Sequence, residues 1–409
     1  MIPAAVWILC AVFILIIVRR IGKFRLPVWL IMTLGAAAAL VSFSISPLDA
    51  LFSINIDVIV FLFGMFIVGA ALDKSGLLDA AASRAFIRAR TKKEVLLIFI
   101  LLAGLSAAIF MNDTTAVIGT PVALYLAKRY AIPVKKLLIA LCFAVTFGSA
   151  ATPVGNPQNL LVALSGGVPF AFGSFALYLL VPSLICLLFV WWFMARGLDG
   201  EPVEHPAPSA PCDEKLARVC KVSIAVICAL ILLRIILSCF DLELPFMLIA
   251  VCGAVPVLLC SRRRFEVLKA VDYATLLFFV SMFIVMAAVW NSGFIQEILP
   301  AELVTSVPLM IGAGCLVSQF VSNVPFILMA LPLLNEACAE LSIYMASVAG
   351  TTCAGTLTIL GAASTIIVLQ HAEKEGESFS FIEYLKPGIV VTLFACIVYA
   401  GWILFTGLF

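Results

Sequence analysis

Charge is scarce in this sequence. Only 12% of its residues are Asp, Glu, Lys or Arg, against roughly 25% in an ordinary soluble domain. Histidine occurs twice, at His205 and His371, both in expected loops. No Cys-x-x-Cys pair exists, and the 13 cysteines stand singly, mostly within apolar stretches, with only Cys212 and Cys220 in or beside an evident loop. That leaves no ligand pattern for a zinc or haem site and reads the cysteines as small apolar packing residues. No nucleotide-binding motif is present, so drive by ATP would need a separate subunit. No nucleic-acid partner and no cofactor are expected.

Apolar residues fill the space that charge leaves. They make up 64% of the chain, and the mean hydropathy is +1.21. Ten runs are long enough to span a bilayer, near 4–18, 26–45, 57–72, 137–165, 170–194, 219–240, 244–260, 273–290, 343–369 and 387–408. A span takes about 20 residues. The first run is short, but Arg19-Arg20 follows it without a small-residue cleavage site, so it reads as a span and not as a removed signal peptide. The expectation is an all-α polytopic membrane protein with about ten transmembrane helices, lodged in the cytoplasmic (inner) membrane among its lipids.

The basic residues are placed unevenly. Of 25 Lys and Arg, all but Arg234 fall in six loops, including Arg19, Arg20, Lys23 and Arg25, then Lys74 to Lys93, then Lys128 to Lys136. The alternate loops, 46–56, 165–169, 239–244, 291–302 and 335–342, hold none. Basic residues stay cytoplasmic, so both termini are expected outside. This assignment works only if segments 95–127 and 303–334 dip into the membrane and return. Each has about 32 residues, too few for two crossings, so each reads as a re-entrant hairpin. The tryptophans, including Trp29, read as interface anchors, and Arg234 as an arginine snorkelling to the nearby surface.

The chain also repeats itself. Met65-Phe66-Ile67-Val68 recurs as Met282-Phe283-Ile284-Val285 at an offset of 217 residues. Asn112 and Pro121 match Asn323 and Pro332 at 211, and Thr152, Gly155 and Val162 match Thr358, Gly361 and Val368 at 206. By the charge count the copies have opposite orientations, which makes them an inverted repeat. The first repeat is 1–195, with hairpin 95–127 and broken helix 137–165. The second is 219–409, with hairpin 303–334 and broken helix 343–369. A Pro-rich cytoplasmic linker, 196–218, joins them.

Four polar breaks carry the candidate site. Asn112, Asp113, Thr114 and Thr115 form the first hairpin tip, Ser322 and Asn323 the second. Thr152, Gly155, Asn156 and Asn159 lie in and around a Pro153-Val154-Gly155-Asn156-Pro157 break that no helix can continue. Thr358, Gly361, Ser364 and Thr365 make the second break, with no proline to enforce it. Broken helices expose backbone groups and hydroxyls at membrane depth, where an intact helix offers none. Inward-pointing helix N-termini favour an anion, and exposed carbonyls favour a cation. Asp113 is the one carboxylate placed deep in the membrane, and such an acid is costly unless it has a function. The plainer alternative is that it caps the second hairpin arm. A cation site near Asn112, Asp113 and Asn156 is expected.

These motifs resemble the ion transporter superfamily, which includes citrate-transporter-like membrane domains, arsenite permeases, NhaD-type sodium/proton antiporters and divalent-anion/sodium symporters. The likeness covers nearly the whole chain. It rests on Asn112-Asp113-Thr114-Thr115 with Thr120-Pro121, on Thr152 to Asn159, on Ser322-Asn323-Val324-Pro325 and on Leu357 to Ser364. In the symporter branch both hairpin tips read Ser-Asn-Thr and meet substrate carboxylates and sodium, a role that carries over best to Asn112, Thr114, Ser322 and Asn323. Asn-Asp at the first tip looks more like the arsenite permease branch, and Thr365 stands where asparagine is usual. The resemblance implies a homodimer in which a scaffold (about 1–93 and 219–300) holds a moving transport part (about 94–195 and 301–409). It also implies a secondary transporter of a small anion or oxyanion, such as a carboxylate, coupled to Na+ or H+. The alternative is an arsenite or antimonite efflux permease or a Na+/H+ antiporter. An intramembrane enzyme built on Asp113 ranks far below, because no second membrane-depth carboxylate, histidine or paired serine accompanies it. A passive channel suits paired breaks around a closed site less well than a carrier does.

Overall fold

The computed structural model describes residues 3–18, 20–21, 24–77, 85–86, 89–198, 213–240, 242–294, 297 and 301–408. Most of the expected linker, together with Arg19, Lys23, Arg84, Arg88, His205, Cys212 and Asp241, lies outside them. Apart from a two-residue antiparallel pair, β1 (Arg20–Ile21) with β2 (Phe24–Arg25), the described chain is helical. Its first part runs α1 (Ala4–Val18), α2 (Val28–Val41), α3 (Pro47–Ser53), α4 (Ile56–Ser75), α5 (Lys92–Phe110), α6 (Asn112–Tyr130), α7 (Val134–Ala150), α8 (Pro157–Ser165) and α9 (Ala171–Met194). Then come α10 (Glu214–Ser238), α11 (Phe246–Cys260), α12 (Arg264–Lys269), α13 (Tyr273–Asn291), α14 (Val307–Val321), α15 (Asn323–Glu336), α16 (Leu341–Leu357), α17 (Ala363–Lys374) and α18 (Phe381–Thr406).

Helix starts follow local chemistry. Asn55, Thr91, Asn156, Asp213 and Asp272 each accept a first-turn N–H, and Ser380 forms a reciprocal capping box with Glu383. Each such cap contributes about 1 kcal/mol. Six helices (α4, α5, α9, α10, α13 and α18) are long and apolar enough to cross a membrane. Four more, α1, α2, α11 and α14, are apolar but shorter. Two expected runs divide, 137–165 into α7 and α8 and 343–369 into α16 and α17, with a 3-10 turn at Ile359–Gly361 between the latter.

The first helix pair is longer than expected, 92–130 and not 95–127. Each arm has 19 residues, or roughly 28 Å at 1.5 Å per residue. The Thr91 cap carries α5 back through Lys92 and Lys93. Length alone therefore does not separate a dip from a crossing for this pair. The second pair is shorter, with 15 and 14 residues per arm.

Packing sorts the helices into two groups. In one, α4 lies on α11, α2 on α13, α1 on α2 and α10 on α11. In the other, α5 and α6 lie on α7, α14 and α15 on α16, α9 on α7 and α18, α17 on α6, and α8 on α15. The groups meet where α4 touches α6 and α8, and where α13 touches α15. In lipid, helices associate through close packing and not through water release. Small residues allow it. A Cβ on Gly148 would sit 2.2 Å from the Gly104 carbonyl oxygen, and one on Gly314 3.1 Å from the Gly350 backbone. Cys220, expected beside a loop, is buried within α10. Arg234, expected to snorkel to the surface, is buried, with its guanidinium 3.6 Å from the Phe246 ring centroid.

Candidate functional site

Both helix pairs turn on a single residue in the same unusual backbone conformation. Met111 has φ 74 and ψ 151, and Ser322 has φ 71 and ψ 165. This region is essentially reserved for glycine. The reversal leaves the first N–H groups of α6 and α15 at the tips, where a helix has no partners of its own for them. At the first tip, the Asn112 N–H donates to the Gly155 carbonyl at 2.8 Å, and the Asp113 N–H to the Asn112 side-chain oxygen at 2.8 Å. The tip therefore sits directly on the break between α7 and α8.

The breaks are held by side-chain amides and hydroxyls. At the first, Asn156 caps α8 through the Asn159 N–H at 2.8 Å and donates to the Ser149 hydroxyl at 3.2 Å. The Asn159 amide nitrogen faces the carbonyls of Ser149, Ala150 and Thr152 at 3.0, 3.2 and 2.9 Å. The Thr152 hydroxyl donates to the Ala108 carbonyl at 2.6 Å. At the second break, the Thr358 hydroxyl donates to the Gln319 side-chain oxygen at 2.7 Å. The Gln319 amide donates to the Ala354 carbonyl at 3.0 Å, and the Tyr384 hydroxyl donates to the Gly355 carbonyl at 2.8 Å. Thr365 lies 3.4 Å from Tyr384, so the tyrosine of α18 and Gln319 of α14 together do what Asn159 does in the first break. Both breaks need glycine for space. A Cβ on Gly155 or Gly361 would lie 2.0 Å from the carbonyl oxygen of Ser149 or Ala354.

A cavity of about 1030 Å³ opens between the two helix groups. Of the expected site residues, Asn112, Asp113, Ser322 and Asn323 line it. Thr114, Thr115, Thr152, Gly155, Asn156, Asn159, Thr358, Gly361, Ser364 and Thr365 stand behind that wall. Thr114 packs against Gly69 of α4, where a Cβ would come within 2.5 Å of its methyl. Four helices begin at the cavity: α6 at Asn112, α8 at Pro157 and Gln158, α15 at Asn323 and α17 at Ala363. The opposite wall, from α1, α2 and α13, is apolar, with Phe13, Met32, Phe278 and Phe279. Trp29, expected as an interface anchor, belongs to this wall.

Sequence reasoning missed Gln158, Gln319, Gln370, Asp272 and Glu373 as cavity residues. Gln158 sits inside the first break motif and was within reach. Asp272 caps the start of α13, and Gln319 gave no local signal, since its role depends on a contact across 39 residues. The charged side chains on the cavity wall are Asp113, Asp272 and Glu373. Among the described residues no Lys or Arg lines it.

Several buried oxygens here have no hydrogen-bond partner among the described residues: Asp113 Oδ1, Thr115 Oγ1 and Asn159 Oδ1 in the first half, Asn323 Oδ1 and Ser364 Oγ in the second. Buried polar atoms are ordinarily satisfied. Carboxylate and amide oxygens of this kind suit a hard cation such as sodium or, at Asp113, a proton.

Comparison with known proteins agrees with this architecture. The family model described as a citrate transporter (CitMHS) matches residues 12–350. An uncharacterised transporter of Mycobacterium bovis is 29% identical over 413 residues, covering 95% of this chain and 94% of its own. The silicon efflux transporter LSI3 of Oryza sativa subsp. japonica is 26% identical, covering 83% and 84%. Among solved structures, the YdaH transporter of Alcanivorax borkumensis superposes with a TM-score of 0.55 at 16% identity, covering 85% of each chain. MtrF of Neisseria gonorrhoeae gives 0.56 at 14% identity, covering 98% and 95%. These two likenesses concern the fold. With one family model spanning most of its length and apolar helices able to cross a bilayer, this chain belongs to the citrate transporter family and is an integral multi-pass membrane transporter, not an enzyme.

Proposed function

We propose that the protein is a secondary active transporter of a small anion or oxyanion, coupled to Na+ or H+, that works by alternating access in the cytoplasmic membrane. One observation carries this reading: four helix N-termini and the Asp113 carboxylate converge on a single cavity that, among the described residues, no basic side chain lines. Each N-terminus carries about half a positive charge from its peptide dipoles, so backbone N–H groups attract the anion where arginine is lacking. The unpartnered oxygens at both tips offer the coupling cation its ligands, with a carboxylate only in the first half. The carbonyls at the ends of α7 and α16 are largely taken by Asn159, Gln319 and Tyr384, which leaves that role to side chains.

The proposed architecture is two inverted repeats with re-entrant pairs α5–α6 and α14–α15, both termini outside, and a homodimer built on the α1–α4 and α10–α13 group. Exchanged packing supports the repeats. Helix α4 lies on α11 as α13 lies on α2, and α6 on α17 as α15 on α8. The cavity runs from the tips to Pro27, Asp272 and Glu373, next to the loops rich in Lys and Arg, in keeping with an inward-facing state.

Solute-induced thermal stabilisation of the purified protein tests the reading, with carboxylates, inorganic oxyanions and arsenite each assayed with and without sodium at two pH values. Ligands that bind the folded state raise its melting temperature by mass action. The expected result is stabilisation by one class of anion that depends on sodium or on pH. A response to neutral arsenite alone, or to sodium and pH with no anion effect, would replace it with the efflux or exchanger alternative.

A further inference from the structure

We infer that Gln319, with Thr358 and Thr152, forms two equivalent latches that fasten each helix pair to its own break, so that these residues position the site. Thr152 and Thr358 are 206 residues apart, the offset at which the two breaks align. Their hydroxyls reach Ala108 and Gln319, which are 211 residues apart, the offset at which the two tips align. Equivalent hydroxyls therefore grip equivalent places on the first arm, one turn before the tip. One takes a backbone oxygen at 2.6 Å, the other a side-chain oxygen at 2.7 Å.

Gln319 completes the second latch. Its nitrogen faces the carbonyls of Cys315 at 2.8 Å and Ala354 at 3.0 Å, and its oxygen accepts the Thr358 hydroxyl. Two carbonyl neighbours demand the amide nitrogen, which fixes the flip of the group from its network. Thr358 in turn accepts the Leu360 N–H at 3.2 Å. One chain of bonds thus runs from α14 through the end of α16 to the turn before α17. In the first half, the Asn112 N–H to Gly155 carbonyl bond adds a second tie. The hydroxyl protons of both threonines are committed to these links.

Given the alternating-access reading, on which this consequence rests, neither helix pair opens alone as a flap. Each tip travels with its own break against α1–α4 and α10–α13, so Asp113 keeps its spacing to Asn159, and Asn323 to Ser364.

Hydrogen exchange by mass spectrometry, on the full chain in detergent without any solute, tests the latch independently of transport. Thr358→Val and Gln319→Leu are each expected to speed exchange on the order of five- to tenfold, both in the break (354–361) and in the arm (314–322). Because both remove the bond between Thr358 and Gln319, the double variant should exchange clearly less fast than the two single effects combined. Thr358→Val combined with Thr152→Val should instead show independent effects, each in its own half. Thr358→Ser, which keeps the hydroxyl, should restore wild-type rates. Additive effects of Gln319→Leu and Thr358→Val, faster exchange confined to the break, or no rescue by serine would overturn the latch. If Gln319→Leu does not fold, Thr358→Val, Thr358→Ser and Thr152→Val still decide, by whether arm and break respond together. Failure here leaves the transport proposal standing, and failure of the anion screen leaves the latch standing.

Discussion

Replacing Ser322 with glycine should make this protein more stable. Ser322 joins α14 to α15 at φ 71 and ψ 165, a region in which a Cβ is crowded. A residue other than glycine held there costs about 1–3 kcal/mol. Glycine removes that cost but adds freedom to the unfolded chain, which offsets roughly 0.5–1 kcal/mol. The side chain is small and faces the cavity, so its loss leaves no packed void. The expected net gain is about 0.5–2 kcal/mol, read as a rise in melting temperature of the purified protein. Ser322→Ala is the control, because it removes the hydroxyl while keeping the Cβ and hence the strain. Serine-to-glycine should therefore melt above serine-to-alanine. If the glycine variant melts at or below the alanine variant, the backbone at this tip is not strained and the argument fails. Met111 shares the conformation but is fully buried, so Met111→Gly would lose packing worth several kcal/mol and should be destabilising overall. The freedom that glycine adds to the backbone at this tip should also loosen Asn323, and solute binding should weaken even as melting rises.

Other expectations follow from the site and its supports. Asp113→Asn keeps the shape of the tip but removes its charge, so sodium or proton dependence of uptake in proteoliposomes should be lost while folding persists; unchanged coupling would remove Asp113 from that role. Gly155→Ala and Gly361→Ala each drive a methyl onto a carbonyl oxygen 2.0 Å away and should lower melting temperature by more than Ser322→Ala does, a ranking that one thermal series checks. On the basic-loop side, the Leu216 N–H and then Arg263 hold the Asp213 carboxyl below its ordinary value, and Arg263 does the same for Glu266. A carboxyl depressed by folding contributes stability above its unfolded value and loses it as pH falls through the folded one. Melting temperature should therefore fall in acid below about pH 4, and Arg263→Gln should flatten that fall.

Much of this arrangement was legible from the chain itself, because membranes restrict what a polar residue can do. Asn112-Asp113 and Ser322-Asn323 stood out as polar residues in apolar surroundings, and both pairs line the cavity. The Pro153-Val154-Gly155-Asn156-Pro157 break was equally plain, since two prolines so close together cannot sit inside one continuous helix. What could not be read was direction. Thr152, Asn156 and Asn159 looked like ligands because they are polar at depth, yet their amide and hydroxyl groups mostly close the broken helix ends around them. A sequence shows that a donor exists, not which carbonyl lies beside it. Gln319 and Tyr384 escaped notice for the same reason, since each satisfies a carbonyl about 30 residues or more away along the chain. Hairpin length misled too. The Thr91 cap draws Lys92 and Lys93 into α5, residues that composition alone assigns to a loop.

Among the described residues, the cavity wall carries the starts of four helices and no arginine or lysine, so the proposed attraction for an anion comes from peptide groups. A field of that kind cannot be titrated, acetylated or removed by exchanging one side chain. In the proposed site, any dependence of solute affinity on pH across the neutral range therefore traces to the buried Asp113 or to the solute's own ionisation. Comparing solutes of different acidity at a fixed pH separates these two sources. For the proposed anion, selectivity is likewise open to change at the largely apolar wall of α1, α2 and α13 while the four helix starts stay in place.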